Sequence, residues 1–297
     1  MTTAHNHCSL ITVHKGTAQF PTSFETSDSK TLLKLAPRMA VAPHVYAALS
    51  SSERMRLRAL AAARSSYTAV LISKSAARVH GLWVIPRPRE EIELALPGTN
   101  LPSRSRWKKG WRYRKTVLLS CEQVQGARCV SPARAVVDIA RFHGLVDGLV
   151  AAESALRAGI ERQELAQEIT ALGRVKNARI ARAVIDAAAD NSRSPLQSLC
   201  RALILAAGIP CTMRMHPSSE EHVLLCLNNW LYVVVDEQKK TPANIQTRGR
   251  KHQTLRIRSE ELIAHPERVV RAIEQALFQT NRPRSLRTGE RGSFPAG

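Results

Sequence analysis

The stretch that most constrains the fold runs from Asn229 to Lys240. It contains an unbroken apolar run, Trp230 to Val235, with three successive valines at its end, and charged residues begin at once with Asp236. A short apolar run that is rich in β-branched residues and lacks polar alternation is typical of a strand buried on both faces. The stretch therefore predicts a central strand of a sheet, and its end carries polar side chains out of the core.

The chain is strongly basic. Its 297 residues include 44 Lys and Arg against 24 Asp and Glu, which gives a formal net charge of +20 at pH 7. Such an excess favours a polyanionic partner. Nucleic acid is the commonest one, and an anionic membrane surface is the alternative. The hydrophobic fraction of 44% predicts folded domains with hydrophobic cores. The length predicts two domains or three small ones. No apolar run approaches the roughly 18 residues of a membrane-spanning helix.

The first residues of the chain and the spacing of its cysteines bear on where in the cell the protein is located. Met1 to Leu10 lacks the charged and then apolar pattern of a secretory signal. The six cysteines are widely spaced and include no Cys-x-x-Cys pair. This spacing indicates reduced thiols rather than a zinc cluster. We therefore expect a cytoplasmic protein without a resident cofactor.

The most basic stretch, Arg104 to Lys115, holds seven cations and no acid. Trp107, Trp111 and Tyr113 stand between the cations. Because cations neutralise phosphates and flat rings stack on bases, the stretch predicts contact with nucleic acid. The alternative is a β-hairpin whose aromatic rings belong to the core. The predicted DNA contacts are Arg104, Arg106, Lys108, Lys109, Trp111, Arg112, Arg114 and Lys115, and in a second basic stretch Arg248, Arg250, Lys251, Arg256 and Arg258.

Periodicity and capping signals place the other elements. Ser52 to Arg64 predicts a helix with Ser52 as its N-cap, and the alternation in Glu91 to Leu96 predicts a half-exposed strand. A helix predicted from Val130 to Arg141 contains Asp138, which we expect to serve the structure rather than catalysis. Further helices are predicted at 145–158, 160–172, 176–189, 195–207 and 259–278, and a hairpin of two apolar strands at 223–227 and 230–235.

Three short motifs occur in a familiar order. They read Ser73-Lys-Ser-Ala-Ala-Arg-Val-His-Gly-Leu82, Val130-Ser-Pro-Ala-Arg-Ala-Val-Val-Asp-Ile-Ala-Arg141, and Ser192-Arg-Ser-Pro-Leu-Gln-Ser-Leu-Cys-Arg201 ahead of Ala207-Gly-Ile-Pro210. Over roughly residues 40 to 278 the chain resembles an actinobacterial family. Members of that family pair an N-terminal region like that of AbiEi-type antitoxins with a C-terminal domain similar to very-short-patch-repair endonucleases.

The resemblance implies an α+β fold with a winged-helix-like, DNA-binding N-terminal part and a restriction-endonuclease-like α/β domain. It implies double-stranded DNA as a partner, and a toxin or other operon partner is a further candidate. With the composition along the chain, it predicts a flexible lead at 1–30, an AbiEi-like region at 31–143, a helical connector at 144–190, a degenerate restriction-endonuclease-like domain at 191–280 and a disordered basic tail at 281–297.

In the family, the nuclease domain holds a divalent cation with acids that this chain lacks. Arg193 and Gln197 stand where the family's helix has glutamates, and the strand Val223-Leu-Leu-Cys-Leu227 has no acid. Of the family's Glu-x-Asp-Gly motif on the next strand, Asp236 alone matches. Since Mg²⁺ prefers several oxygen ligands in octahedral order, one matching carboxylate predicts an inactive domain. We therefore expect neither a bound metal nor catalysis.

One alternative restores a metal site. Glu237-Gln-Lys239 has the Glu-x-Lys spacing of restriction nucleases, and residues two apart in a strand lie on one face. With Glu220 or Glu221 as the upstream acid, the chain would be a Mg²⁺-dependent DNA endonuclease that uses Glu221, Asp236, Glu237 and Lys239. The main hypothesis is a DNA-binding antitoxin-like or transcriptional regulator. A third is a protein-binding scaffold whose basic tail touches acidic partners or lipid.

Overall fold

The computed structural model of the chain describes residues 10–14, 17–19, 32–98, 100–216, 219–227, 231–237, 245–247 and 253–280. The chain divides into two compact units, Met1–Asp190 and Asn191–Gly297. Both hold helices and sheets, which confirms the predicted α+β class; its winged-helix and restriction-endonuclease parts stay predictions. Within the described ranges, no helix is both long enough and apolar enough to cross a membrane.

The first unit begins with a small antiparallel sheet. Its strands are β1 (Ile11–His14), β2 (Thr17–Gln19), β3 (Leu33–Ala36) and β4 (Met39–Val41), and they lie in the order β2-β1-β4-β3. Ile11 is buried, and it pairs with Ala40 on β4. The predicted flexible lead at 1–30 is therefore wrong for β1 and β2. The alternation Ile-Thr-Val is a strand period, although polar residues and histidines surround it.

Two helices, α1 (Pro43–Ala48) and α2 (Ser51–Arg64), follow this sheet. A capping box opens α2: the backbone N–H of Glu53 donates to the hydroxyl of Ser50, and the N–H of Ser50 donates to the carboxylate of Glu53. The helix is confirmed, but its N-cap is Ser50 rather than the predicted Ser52. Since the capping box satisfies two donors that the helix start would leave free, Ser50 fixes where α2 begins.

The main sheet of the first unit has five strands, β5 (Val70–Leu71), β6 (Ile92–Ala95), β7 (Trp111–Tyr113), β8 (Glu122–Val124) and β9 (Ala127–Cys129), in the order β7-β6-β5-β9-β8. Helix α3 (Ser73–Val79) connects β5 to β6. The strand predicted as half-exposed at Glu91 to Leu96 is β6, and all four of its residues are buried. The prediction of a half-exposed strand is therefore wrong, and it hid a buried carboxylate, that of Glu93.

Three helices complete this unit, α4 (Pro132–Arg157), α5 (Arg162–Leu172) and α6 (Ala178–Ala187). In α4, Asp138 is fully buried between two arginines, 3.2 Å from Arg134 Nε and 3.1 Å from Arg141 Nη1. Burial raises the pKa of Asp138, and the two arginine charges oppose that rise. The predicted structural role of Asp138 is confirmed.

Helix α4 is broken at Gly144, where φ is 88° and ψ is −171°. Beyond the break, Gly148 packs against the first half of α4 and against α6. A Cβ atom on Gly148 would stand 2.8 Å from the Cα of Ala140 and 3.0 Å from Cγ2 of Val184. The segment predicted as a connector, 144–190, thus belongs to the same compact unit as the region before it.

The second unit is a sheet with helices before and after it. They are α7 (Pro195–Ala206), β10 (Thr212–His216), β11 (Ser219–Leu227), β12 (Leu231–Asp236), β13 (Ile245–Thr247), β14 (Gln253–Arg258), α8 (Ser259–Ala264) and α9 (Pro266–Thr280). The strand order is β10-β11-β12-β14-β13. The long helix predicted at 259–278 is two helices, divided at His265.

Strand β12 confirms the predicted central strand. It pairs antiparallel with β11, as the predicted hairpin requires, and parallel with β14. Leu231, Tyr232 and Val233 are buried, whereas Val234 and Val235 are half-buried. Trp230 and the tail at 281–297 lie outside the described residues.

We expect Gly148→Ala to destabilise the first unit. At an unobstructed helix position this change stabilises by about 1 kcal/mol, because alanine is the better helix former. Here the added methyl group would overlap Ala140, and overpacking of this kind costs about 1–3 kcal/mol. Thermal unfolding followed by circular dichroism should give a lower Tm for the variant. An unchanged or higher Tm would contradict the close approach of the two halves of α4.

Candidate nucleic-acid interface

The predicted basic stretch lies at one edge of the main sheet. Arg104–Arg106 forms a single turn of 3-10 helix, and Trp111–Tyr113 forms β7, which pairs in parallel with β6. The alternative of a β-hairpin is therefore wrong, since β7 pairs with a strand that precedes it by about twenty residues in the chain. An edge position leaves one side of the stretch open to solvent.

The aromatic rings of this stretch pack against the protein. Trp111 is 7% exposed. The rings of Trp107 and Tyr113 meet edge to face at 5.7 Å, and the indole N–H of Trp107 donates to the carbonyl of Pro102. A ring must present a free face to stack on a base. The prediction that Trp111 contacts DNA is therefore corrected, because its ring belongs to the core.

Two of the seven cations are paired with acids. Arg114 Nε donates to Glu93 at 2.5 Å, and its guanidinium lies over the ring of Phe142. Arg112 Nε lies 3.0 Å from a carboxylate oxygen of Glu91, in a pair that is partly open to water. Arg114 is thus occupied by the fold, which corrects its predicted DNA contact. The ion pair of Arg112 is weak because solvent screens it.

The other five cations, Arg104, Arg106, Lys108, Lys109 and Lys115, are exposed. None of them forms an ion pair with a carboxylate in the described part of the chain. Arg104 and Lys108 lie near the rings of Trp107 and Trp111, at 5.7 and 5.4 Å from the ring centroids. These contacts orient the two side chains and leave their charges accessible.

Two further cations, from distant parts of the sequence, join this set. Burial, and then the nearby charge of Lys34 on β3, lower the pKa of Lys108. Arg58 on α2 approaches the other end of the segment, with Nη2 3.4 Å from where a Cβ atom of Gly110 would stand. We call Lys34, Arg58, Arg104, Arg106, Lys108 and Lys109 the basic surface; Lys115, which lies beyond β7, is not part of it. No local pattern in the sequence marks Lys34 and Arg58, because sheet and helix packing alone bring them to this segment.

A buried carboxylate lies behind the basic surface. Besides Arg114, Glu93 binds the ring Nε2 of His143 at 2.8 Å and the backbone N–H of Lys74 at 3.4 Å, and its own N–H donates to Ser75. Burial raises the pKa of Glu93, but the hydrogen bond and charge of His143 and the charge of Arg114 outweigh it. The pKa falls to about 2, so Glu93 is ionised at neutral pH.

This buried cluster also contains residue types that are used in catalysis. Ser73 has a positive φ of 52° and is fully buried beside the carboxylate of Glu93. Lys74 is buried as well, in an ion pair with Asp147 at 2.6 Å. A nucleophile must reach its substrate, and Ser73 is covered. The cluster therefore serves the fold.

In the second unit, the predicted metal site is at the end of β12. Asp236 is half-buried and pairs in register with Arg258 on β14. Glu237 is exposed, and its carboxylate accepts a hydrogen bond from the hydroxyl of Ser194, the N-cap of α7.

The two positions where the family has glutamates also serve the start of α7. The backbone N–H of Gln197 donates to Ser194, and its side-chain oxygen accepts the backbone N–H of Arg193 at 3.0 Å. Ser194 and Gln197 therefore form helix-capping hydrogen bonds, and neither brings a carboxylate to Asp236 and Glu237.

The described residues at the end of β12 do not make up a magnesium site on their own. No group of three or more His, Cys, Asp or Glu within the described residues could hold a metal ion. Asp236 and Glu237 are adjacent, but the carboxylate of Glu237 is bonded to Ser194. Hard cations need several converging oxygens. The Glu221 side chain and Lys239 lie outside the described residues.

The second predicted group of DNA contacts is only partly described. Arg248, Arg250 and Lys251 lie outside the described residues. Arg258 is exposed, whereas Arg256 is half-buried, and its Nε is buried without a described hydrogen-bond acceptor. This second stretch therefore contributes one exposed cation to the described surface.

We expect Glu93→Gln to destabilise the first unit and to flatten its pH dependence. A folded-state pKa of about 2 against the ordinary 4.5 gives stability that is present above pH 4.5 and is lost as the pH falls towards 2. At neutral pH it amounts to roughly 3 kcal/mol. Urea unfolding at pH 7 and pH 3.5 should show a smaller difference between the two pH values for the variant. If the stability difference between the two pH values is equal in wild type and variant, the claim that the lowered pKa of Glu93 stabilises the first unit is contradicted.

No family model matches this chain, and neither the curated proteins nor the solved structures include a match. The resemblance to AbiEi-type antitoxins and very-short-patch-repair endonucleases therefore stays a prediction. The function must rest on the geometry of the basic surface and of the end of β12.

Proposed function

We propose that this chain is a DNA-binding protein of the cytoplasm, an antitoxin-like or transcriptional regulator, whose second unit is a nuclease-like domain without catalytic activity. The basic surface is the observation that supports this most. Lys34 on β3 lies near Lys108 and Arg58 on α2 lies near Gly110, and none of the six cations forms an ion pair with a described carboxylate; five of them are exposed and Arg58 is half-buried. A toxin or other operon partner belongs to the same proposal and rests on the resemblance alone.

Electrostatic repulsion makes such a cluster unfavourable in the absence of a partner. Two like charges 4 Å apart repel by about 1 kcal/mol in water and by more at a protein surface. Buried cations of this unit, by contrast, are paired: Arg78 binds Glu90 at 2.7 Å, and Lys74 binds Asp147. A phosphate chain supplies the missing negative charge at the basic surface, and it releases counterions as it binds.

The surface is suited to the DNA backbone rather than to bases. Trp111 is buried, and Trp107 and Tyr113 are half-buried and pack against each other, so these rings are only partly exposed for stacking. Contacts to phosphates position a protein on duplex DNA but carry no sequence information. We therefore propose that this surface binds duplex DNA with little sequence preference, and that any specificity comes from another part of the chain.

We expect the triple variant Lys34→Ala, Lys108→Ala, Lys109→Ala to bind duplex DNA much more weakly than wild type. Loss of two or more phosphate contacts should lower the affinity by at least about tenfold near 50 mM salt. Fluorescence anisotropy of a labelled duplex measures this loss. The triple variant Arg89→Ala, Arg128→Ala, Arg157→Ala removes three exposed cations outside the basic surface and is the matched control. Equal losses of DNA affinity in the two variants would contradict the proposal that the basic surface binds DNA.

A second candidate function, a Mg²⁺-dependent endonuclease, is favoured by one observation. Asp236 and Glu237 lie at the end of the central strand and beside the start of α7. Opposing it, the described side chains bring too few oxygens to this point for a hard cation.

We expect purified protein to leave supercoiled plasmid intact in the presence of Mg²⁺ or Mn²⁺. The Glu237→Ala variant decides the meaning of any cutting, since Glu237 is the acid of the Glu-x-Lys pattern. Cutting by wild type that Glu237→Ala abolishes would establish the nuclease and overturn the inactive domain. Cutting that survives this change comes from a contaminant.

A further inference from the structure

A shallow, widely open groove of about 610 Å³ lies beside α6 in the first unit. Leu145, Val175, Ala178 and Ile180 line it and are half-buried. These aliphatic side chains keep apolar area in contact with water. A partner that covers them gains roughly 25 cal/mol for each Å² of apolar surface removed from water.

The groove has a basic rim. Arg179 and Arg182 line it and are exposed. Arg174 and Lys176 stand just before them in the chain and are also exposed, and none of the four forms an ion pair with a described carboxylate. Asp186 is the one acid on α6, so the balance of charge at this rim is positive. Carboxylates are therefore attracted to it.

We propose that this groove binds an acidic amphipathic segment of a partner protein. Apolar side chains of that segment would cover Leu145, Val175 and Ile180, and its carboxylates would bind Arg179 and Arg182. The two arginines are three residues apart in α6, so they lie on one face, about one turn apart. Carboxylates one helical turn apart on the partner match this spacing.

The shape and lining of the groove favour a protein segment over other ligands. Small-molecule sites enclose most of the ligand surface, whereas this groove is open. Nucleic acid would satisfy the arginines but would leave the aliphatic floor in contact with water. A peptide that is apolar on one side and acidic on the other satisfies both parts of the groove.

This inference does not rest on DNA binding. The groove lies on the loop before α6 and on α4 and α6, whereas the basic surface belongs to β3, α2 and the segment before β7. No residue belongs to both surfaces. Either proposal can therefore fail without the other.

The test uses the full chain and a fluorescein-labelled helical peptide of about 18 residues, with leucines on one face and glutamates on the other. A peptide of the same composition in scrambled order has the same charge without the apolar face. Anisotropy titration should show saturable binding that is roughly tenfold tighter for the amphipathic peptide. No saturable binding, or equal binding of the scrambled peptide, overturns the proposal.

Variants locate the site. The Ala183→Glu change places a bulky acid in the groove at an exposed position that also lines it. It should weaken peptide binding about tenfold, as should Arg179→Glu with Arg182→Glu. Arg128→Glu makes the same kind of charge change on β9, at an exposed site, and should leave binding within about twofold of wild type.

Unaltered circular dichroism melts establish that the variants fold. Equal losses for Ala183→Glu and Arg128→Glu would show non-specific attraction to a basic chain and overturn the proposal. Competition with duplex DNA tests the remaining alternative, which is that the groove binds nucleic acid. If DNA displaces the peptide, and Ala183→Glu weakens DNA binding to the same extent, the groove is part of a nucleic-acid surface and the proposal fails.

Discussion

The buried carboxylate of Glu93 is the interaction on which the first unit depends. It lies on β6 and binds Arg114, which follows the short edge strand β7, and His143, which precedes the break in α4 at Gly144. A buried charge that loses its partners costs several kcal/mol. Strand β7 and the first part of α4 are therefore both held to the carboxylate of Glu93. This fixes the segment before β7 in place, although β7 itself has only three residues.

The same constraint separates the structural cations from the free ones. Arg114 is used by Glu93, Arg78 by Glu90 and Lys74 by Asp147, so the acids near the core are already bound. Of the cations that remain exposed, Lys34, Arg104, Arg106, Lys108 and Lys109 belong to the basic surface at the edge of the main sheet. The composition gives this excess of positive charge only as a total. The structure places part of it beside the edge strand β7. In the second unit, Glu237 binds the cap of α7, so the end of β12 is tied to the start of that helix.

The hairpin strands β11 and β12 of the second unit could be predicted because their apolar runs are unambiguous, and Asp236 could be placed at the end of β12 for the same reason. The burial of β6 could not be predicted, because Glu and apolar residues alternate in the same way whether the polar face contacts water or a buried arginine and histidine. The role of Trp111 was equally ambiguous. Lys34 reaches Lys108 only through tertiary packing, which leaves no local pattern in the sequence. The strand β1 was hidden by its polar neighbours, although its buried residue, Ile11, follows the strand period.

The salt dependence of duplex binding by the full chain tests the central claim most directly. If the six cations of the basic surface each neutralise a phosphate, the logarithm of the binding constant falls linearly with the logarithm of the salt concentration, with a slope of about −5. A slope near zero, or no binding at low salt, would contradict the claim that these unpaired cations hold a phosphate chain.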